Sequence, residues 1–182
     1  MADSQSTAIP TPDRVALVGL SGVGKSTIAR RLASRWGWRA IDLDDDIASG
    51  AGCTVTEIFE NHGESEFRRL ERDALMRALT ETQVVLATGG GAPCQPGAMD
   101  ALLTHATVVW LDAAPATLAD RLAGADDRPL LHPGAVLQSL EAQHSERGGT
   151  YGRAHLHVSV EGLDAEQVVD AIAAGLGHGV GA

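Results

Sequence analysis

The sequence predicts an α/β fold of three layers, a five-stranded parallel sheet flanked by helices and completed by a mobile lid. Two observations predict it. Five short apolar runs bounded by glycine or polar residues recur along the chain, each of strand length. Stretches with helical spacing of apolar residues separate them, so each strand is followed by the kind of crossover that makes neighbouring strands parallel. At 182 residues, with neither internal repeat nor interdomain linker, one domain is expected.

The elements follow in order. Residues 1–12 are polar and proline-containing and read as a loose tail, which leaves a single domain over 13–174. Residues 14–20 (RVALVGL) read as a buried strand, and 27–36 (TIARRLASRW) as a helix that Gly37 ends. Residues 39–43 (RAIDL) form a second strand running into the acids Asp42, Asp44, Asp45 and Asp46. Thr54 and Glu57 have capping-box spacing and start a short helix through Glu60. A longer amphipathic helix covers 64–79, and strands follow at 83–87, 106–111 and 155–160. The polar stretch around 126–131, flanked by glycine and proline, has the composition of a lid, set at about 123–134. Glycine-rich residues 175–182 read as a flexible C-terminal tail.

Composition excludes several classes of function. Twenty-four acidic residues face 14 basic ones, 13 arginines and Lys25, for a formal net charge of −10. A nonspecific nucleic-acid surface is not expected at that balance, whereas a small anion needs only a local cluster of cations. No run of about 18 apolar residues suggests a membrane span, and the first residues lack the basic start and apolar stretch of a signal peptide. Cys53 and Cys94 stand apart without metal or redox spacing and read as isolated buried thiols of a cytoplasmic protein. His155 and His157 alternate along a strand and read as a solvated face rather than a metal site. Six aromatics leave the core to Val, Leu, Ile and Ala.

The chemistry is concentrated just after the strands, where parallel sheets bind ligands. Residues 19–26 spell G-x-x-x-x-G-K-S between a strand and a helix. Gly22, Val23, Gly24, Lys25, Ser26 and Thr27 would wrap backbone N–H groups around phosphates, with Lys25 on the β- and γ-phosphates and Ser26 on Mg²⁺. Nucleoside triphosphate binding with Mg²⁺ is therefore expected. Asp42 and Asp44, two apart on a chain leaving a strand, share a face and can look into one cleft, one toward the metal's water shell and one toward an acceptor hydroxyl. Asp45 and Asp46 read instead as acids at a helix N-terminus. Arg68 and Glu71 admit two readings, a solvated i,i+3 ion pair or a functional pair. Gly89, Gly90 and Gly91 follow the third strand, where a close ligand approach competes with a plain flexible turn. Arg128 in the lid stretch can swing over the phosphates.

In combination, the phosphate loop, D-L-D at 42–44, G-E-S-E-F-R-R-L-E at 63–71, the triple glycine and D-R-P-L-L at 127–131 resemble the shikimate kinase family. Its members are small P-loop kinases of the nucleoside-monophosphate-kinase type, with the P-loop NTPase fold. The resemblance runs over residues 14–169 and implies ATP-dependent phosphorylation of the 3-hydroxyl of shikimate, on the route to chorismate and the aromatic amino acids. It implies Lys25, Asp44 and Arg128 as catalytic residues, with Asp44 binding and activating the hydroxyl, and Asp42 with Ser26 near the metal. Arg68 and Arg147 would bind the shikimate carboxylate, Gly89, Gly90 and Gly91 would touch the substrate, and Phe59 and Phe67 would wall its pocket. Glu71 would hold the arginines, and Arg121 would stack beside adenine. The sequence departs from the family at Gly148-Gly149-Thr150, where R-x-P-L-Y is usual, and at Ala165, where a proline often flanks adenine. The implied partners are ATP and shikimate, with no nucleic acid or membrane, and the implied state is a monomer. Another small-molecule kinase on the same fold and a nucleotide-binding regulatory module are the competing readings.

Overall fold

A computed structural model describes residues 13–123 and 133–177 of the chain. Five parallel strands, β1 (Arg14–Val18), β2 (Arg39–Asp42), β3 (Val84–Ala87), β4 (Thr107–Asp112) and β5 (Leu156–Ser159), form one sheet in the order β2-β3-β1-β4-β5. Seven helices flank it among the described residues: α1 (Lys25–Trp36), α2 (Leu43–Ala51), α3 (Val55–Ala78), α4 (Ala98–His105), α5 (Pro115–Ala123), α6 (Pro133–Tyr151) and α7 (Ala165–Gly175). All four residues of β3 are buried, as are the last four of β1, which requires cover on both faces of the sheet. Helix α1 packs on β2, β3 and α7, α7 on β5, and α4 on β4. The core is aliphatic, as the composition requires, with Leu17, Leu32, Leu102, Leu111 and Ile172 fully enclosed.

Local signals decide several boundaries. The Thr54–Glu57 capping box closes in both directions at the start of α3. Gly63, at φ 78° and ψ 173°, interrupts that helix, so the short and long helices expected on its two sides are two segments meeting at a kink. The second strand ends at Asp42, and α2 starts at once, because Asp42 turns its side chain back to accept a hydrogen bond from the Asp44 amide. The C-terminal boundary expected at 174 falls short: Gly175 ends α7 against the Leu156 side chain, and Leu176 is 2% exposed. Glycine there permits close packing rather than fraying. Among the described residues no helix is long and apolar enough to cross a membrane. The expected N-terminal tail, most of the expected lid and Arg128 lie outside the described residues.

Candidate active site

The carboxyl ends of β1, β2 and β3 open onto a cavity of about 300 Å³, lined by the loop after β1, by Asp42 and Asp44, and by Thr88, Gly89 and Gly90. The loop after β1 needs its glycines. Gly19 has φ 142°, and a Cβ there would lie 2.3 Å from the Leu111 carbonyl oxygen. Gly24 takes φ 98° as the N-cap of α1. Asp42, Thr54 and Asp164 cap α2, α3 and α7 with their side chains, whereas α1 has no side-chain cap among the described residues and no acid in its first turn. Its first residues line the cavity at the positive end of a helix, where leading amides lack intrahelical partners and suit an anion.

Lys25, the first residue of α1, is 9% exposed and donates from Nζ to the Gly19 and Leu20 carbonyls, each at 2.9 Å. Burial lowers its pKa to about 8 against the opposing pull of Asp44 and Asp42. Across the cavity Asp44 sits in the first turn of α2, not on the strand extension. The two carboxylates thus share the cavity because Asp42 caps the helix that carries Asp44, which corrects the strand-face rationale while keeping both residues in one cleft. Desolvation by the cleft walls, then the neighbouring Asp42 charge, raises the Asp44 pKa, and Lys25 opposes the rise. Asp45 and Asp46 are first-turn acids pairing outward with Arg30 at 3.4 Å and Arg77 at 3.0 Å.

Arg68 does not make a merely solvated i,i+3 pair, because its partner is buried. Arg68 Nη1 donates to Glu71 Oε2 at 2.8 Å, and the Glu71 side chain is only 3% exposed. The Phe67 ring lies under the guanidinium, 5.3 Å from its centroid, and the Nε–Nη2 edge of Arg68 is held by the exposed Glu64 at 3.3 and 3.1 Å. Arg69, one residue on, shows the ordinary case: it pairs with Glu66 and Asp73, and its side chain is half exposed. Desolvation raises the Glu71 pKa, and Arg68 pulls it back.

The triple glycine has a structural reason for each position. A Cβ on Gly89 would lie 2.8 Å from Glu71 Oε1 and 3.1 Å from Asp44 Oδ1. On Gly90 it would lie 3.3 Å from Ser21 Oγ and 3.5 Å from Arg147 Nη1, and on Gly91 3.1 Å from Arg68 Nη1. Three bare residues thus let the Asp44, Glu71, Arg68 and Arg147 side chains converge on one turn, which a merely flexible turn would not require.

A family model of shikimate kinase matches residues 21–176 of this chain. The chain belongs to the shikimate kinase family. The shikimate kinase of Zymomonas mobilis is 39% identical over 168 residues, covering 92% of this chain and 96% of that protein. The one from Geobacter sulfurreducens is 38% identical over 174 residues, covering 95% and 96%. Among solved structures, shikimate kinase from Bacteroides thetaiotaomicron matches with a TM-score of 0.85 at 29% identity, over 90% of this chain and 97% of that one. Shikimate kinase from Acinetobacter baumannii in complex with shikimate matches at 0.84 and 30% identity, over 95% and 97%. The five-stranded parallel sheet is that of the P-loop NTPase fold seen in these enzymes, and the family makes the chain an ATP-dependent kinase.

Within the family framework the structure brings Lys25, Ser26, Asp42, Asp44, Arg68, Glu71, the three glycines and Arg147 to one end of the sheet. Arg121 stands apart, beside a second cavity of about 240 Å³ on the outer side of the loop, with Val23, Thr27, Leu163 and Ala165 in its wall. Phe59 and Phe67 stack at 4.5 Å, but Phe67 is 4% exposed whereas Phe59, at 37%, opens to solvent. Three neighbours escaped sequence reading. Thr88 is buried, and its hydroxyl donates to the Leu17 carbonyl at 2.9 Å, tying β3 to β1 beneath the triple glycine. Tyr151, 1% exposed, donates to the Gly90 carbonyl. Cys94 is half-buried rather than enclosed, and lies against Thr150 and Arg147. Of these only Tyr151 had a signal, one helical turn after Arg147. His155 and His157 are exposed: His155 Nδ1 accepts from the Val108 amide at 2.9 Å, and the His157 ring stacks on Trp110 at 4.2 Å.

Proposed function

We propose that the protein transfers the γ-phosphoryl group of ATP to the 3-hydroxyl of shikimate, yielding shikimate 3-phosphate and ADP for chorismate and aromatic amino acid synthesis. One observation carries this reading. An uncapped helix end with Lys25 faces Asp44 across a single cavity, and the glycine turn beside it admits Arg68, Glu71 and Arg147. A phosphate seat, a base and a carboxylate clamp are the three things this acceptor needs.

In this reading the backbone of Gly22, Val23, Gly24 and Thr27 cradles the polyphosphate, and Lys25 leaves its two loop carbonyls for the β- and γ-phosphates. Arg121 flanks the nucleotide base, and Arg128 reaches the phosphates from the lid. Arg68 and Arg147 clamp the shikimate carboxylate, Arg68 through paired hydrogen bonds once Glu64 releases its Nε–Nη2 edge. The ring, fixed by the arginines and seated against Gly89, Gly90, Gly91, Phe59 and Phe67, presents its 3-hydroxyl to Asp44. Asp44, ionised, takes the hydroxyl proton as that oxygen bonds to the γ-phosphorus and the bond to the β–γ bridging oxygen breaks. The raised pKa of Asp44 suits this role, since it strengthens the carboxylate as a base.

Ser26 and Asp42 line the same cavity and are hard oxygen donors of the sort Mg²⁺ takes together with water and phosphate oxygens. Bound with ATP, the ion supplies neutralisation of phosphate charge. The reading also takes the protein to be a cytoplasmic monomer, which size-exclusion chromatography with light scattering checks. The deciding experiment is a coupled ADP-release assay over a panel of acceptors. ADP release that requires shikimate and Mg²⁺, with little on gluconate or nucleoside monophosphates, is expected. Robust turnover of another acceptor and none of shikimate would replace the reading by another small-molecule kinase, and binding of ATP without turnover by a regulatory module.

A further inference from the structure

Arg147 stands on a weak piece of helix. It is followed by Gly148 and Gly149, and a Cβ at either position would meet nothing within 4 Å. Among the described residues no close neighbour requires a bare position there, and two adjacent glycines lower helix stability. The clamp attributed to Arg147 nevertheless requires its guanidinium to be aimed before the substrate arrives.

We infer that Tyr151 is a positioning residue, a hydroxyl relay that fixes Arg147 against the glycine turn. The inference rests on the proposed clamp role of Arg147. Tyr151 is the last residue of α6, one turn beyond Arg147, and it is 1% exposed. Its hydroxyl donates its proton to the Gly90 carbonyl, and the Arg147 guanidinium stands at the same glycine, close enough to pull the hydroxyl's pKa down against burial. The ring packs against Trp110, with centroids 6.0 Å apart, so the hydroxyl is delivered by a side chain that cannot swing. Next to it Thr150 lies against Cys94 of the turn Ala92–Cys94, so the end of α6 meets the segment after the triple glycine a second time.

The relay does two things. It restrains the guanidinium whose Nη1 would lie 3.5 Å from a Gly90 Cβ, compensating for the two glycines beneath it. It also sets the Gly90–Gly91 peptide plane, because a trans peptide with its carbonyl held toward Tyr151 must turn the Gly91 amide the opposite way. Burial keeps the relay in its donating form, pushing the Tyr151 pKa up to about 12.

The test is a double-mutant cycle in the ADP-release assay. Tyr151→Phe is expected to raise the KM for shikimate about tenfold and to leave the KM for ATP within twofold. Combined with Arg147→Ala it should add less than twofold to the effect of Arg147→Ala alone, since it acts through that residue. Gly148→Ala with Gly149→Ala, introduced into Tyr151→Phe, should recover threefold or more of the lost KM by stiffening the turn. An unchanged shikimate KM, effects that multiply in the double variant, or an equal rise in both KM values would overturn the relay. A readout independent of turnover separates it from the acceptor assignment. The chain has one tyrosine, so the near-ultraviolet difference spectrum of Arg147→Ala against the parent must carry a tyrosine shift. No such shift sinks the relay whatever the acceptor; a parent inactive on shikimate with the shift present sinks the acceptor alone.

Discussion

Replacing Arg68 by alanine separates binding from stability, and the two losses have different pH signatures. In the parent, Glu71 is 3% exposed and its charge is answered by Arg68 at 2.8 Å. Arg68→Ala removes the substrate's bidentate partner, and a charge-assisted hydrogen bond of this kind contributes about 1.5–3 kcal/mol. The shikimate KM should therefore rise roughly 10- to 150-fold while the ATP KM stays within twofold. The variant also leaves a buried carboxylate uncompensated, which costs about 3–5 kcal/mol when the group must stay ionised. It need not stay ionised. Burial already raises the Glu71 pKa and Arg68 holds it down, so without Arg68 the pKa climbs further. A folded-state pKa above the unfolded value gives stability that is fully present below the unfolded pKa and lost as pH rises through the folded one. The stability gap between parent and variant should thus be small within the ordinary carboxylate range and grow as pH rises above it, to about 2–3 kcal/mol because Arg68 is itself partly solvated. Urea unfolding of both proteins across that range reads it, and adding Glu71→Gln should flatten the slope. A gap independent of pH, or a shikimate KM changed less than threefold, would refute the reasoning.

Asp44→Asn should lower kcat by about 10²- to 10⁴-fold with the ATP KM within twofold. In the parent, the acid limb of kcat/KM should lie above the ordinary carboxylate range because desolvation and Asp42 raise the Asp44 pKa, and the limb should vanish in the variant. Lys25 must be charged to grip phosphate, so ATP affinity, followed by calorimetry, should weaken by about tenfold per pH unit once pH passes its pKa of about 8; flat affinity to pH 9.5 would show that Lys25 is not the titrating contact. Gly89→Ala forces a methyl to within 2.8 Å of Glu71 Oε1 and 3.1 Å of Asp44 Oδ1. A displacement of this size should cut kcat/KM for shikimate about 10- to 100-fold without unfolding the protein, which circular dichroism and the same assay resolve. Glu64→Ala frees the Nε–Nη2 edge of Arg68, and since the pair is largely exposed the shikimate KM should fall by no more than about fivefold; a rise would mean that Glu64 seats the substrate.

The sheet was legible because β1 and β3 are so apolar that only a covered parallel strand accommodates them, and the phosphate loop because its glycines and lysine stand between strand and helix. The site was legible as a set of residues more than as geometry. Asp42 and Asp44 were paired by strand periodicity, yet a strand ends where a side chain can cap the next helix, and capping by Asp42 depends on a backbone conformation that spacing does not report. That Arg68 makes a half-buried pair rather than a solvated one turned on the burial of Glu71, a property of what α3 packs against. Tyr151, Thr88 and Cys94 stayed hidden for the same reason: their partners are backbone carbonyls and side chains up to 71 residues away in sequence.

The charge balance explains how an acidic chain can serve two anions. Most surface arginines are answered locally: Arg30 by Asp45, Arg31 by Glu166, Arg35 by Asp170, Arg69 by Glu66 and Asp73, Arg77 by Asp46, and Arg153 by Asp100. Beyond a Debye length of about 8 Å such pairs contribute little attraction for a phosphate. Lys25 differs in kind, because its hydrogen bonds run to two backbone carbonyls, and Asp44 and Asp42 act on its charge without an ion pair among the described residues. A lysine fits that place and an arginine would not. Three donors on a compact ammonium can be shared between loop carbonyls and an incoming phosphate, whereas a planar guanidinium brings five donors into a cradle too tight to satisfy them. Arg68 is the converse case, where a rigid fork can keep one nitrogen on Glu71 and offer its other edge to a carboxylate. In the proposed reading the single lysine and the half-buried arginine thus divide the two anions between them by shape as well as by charge.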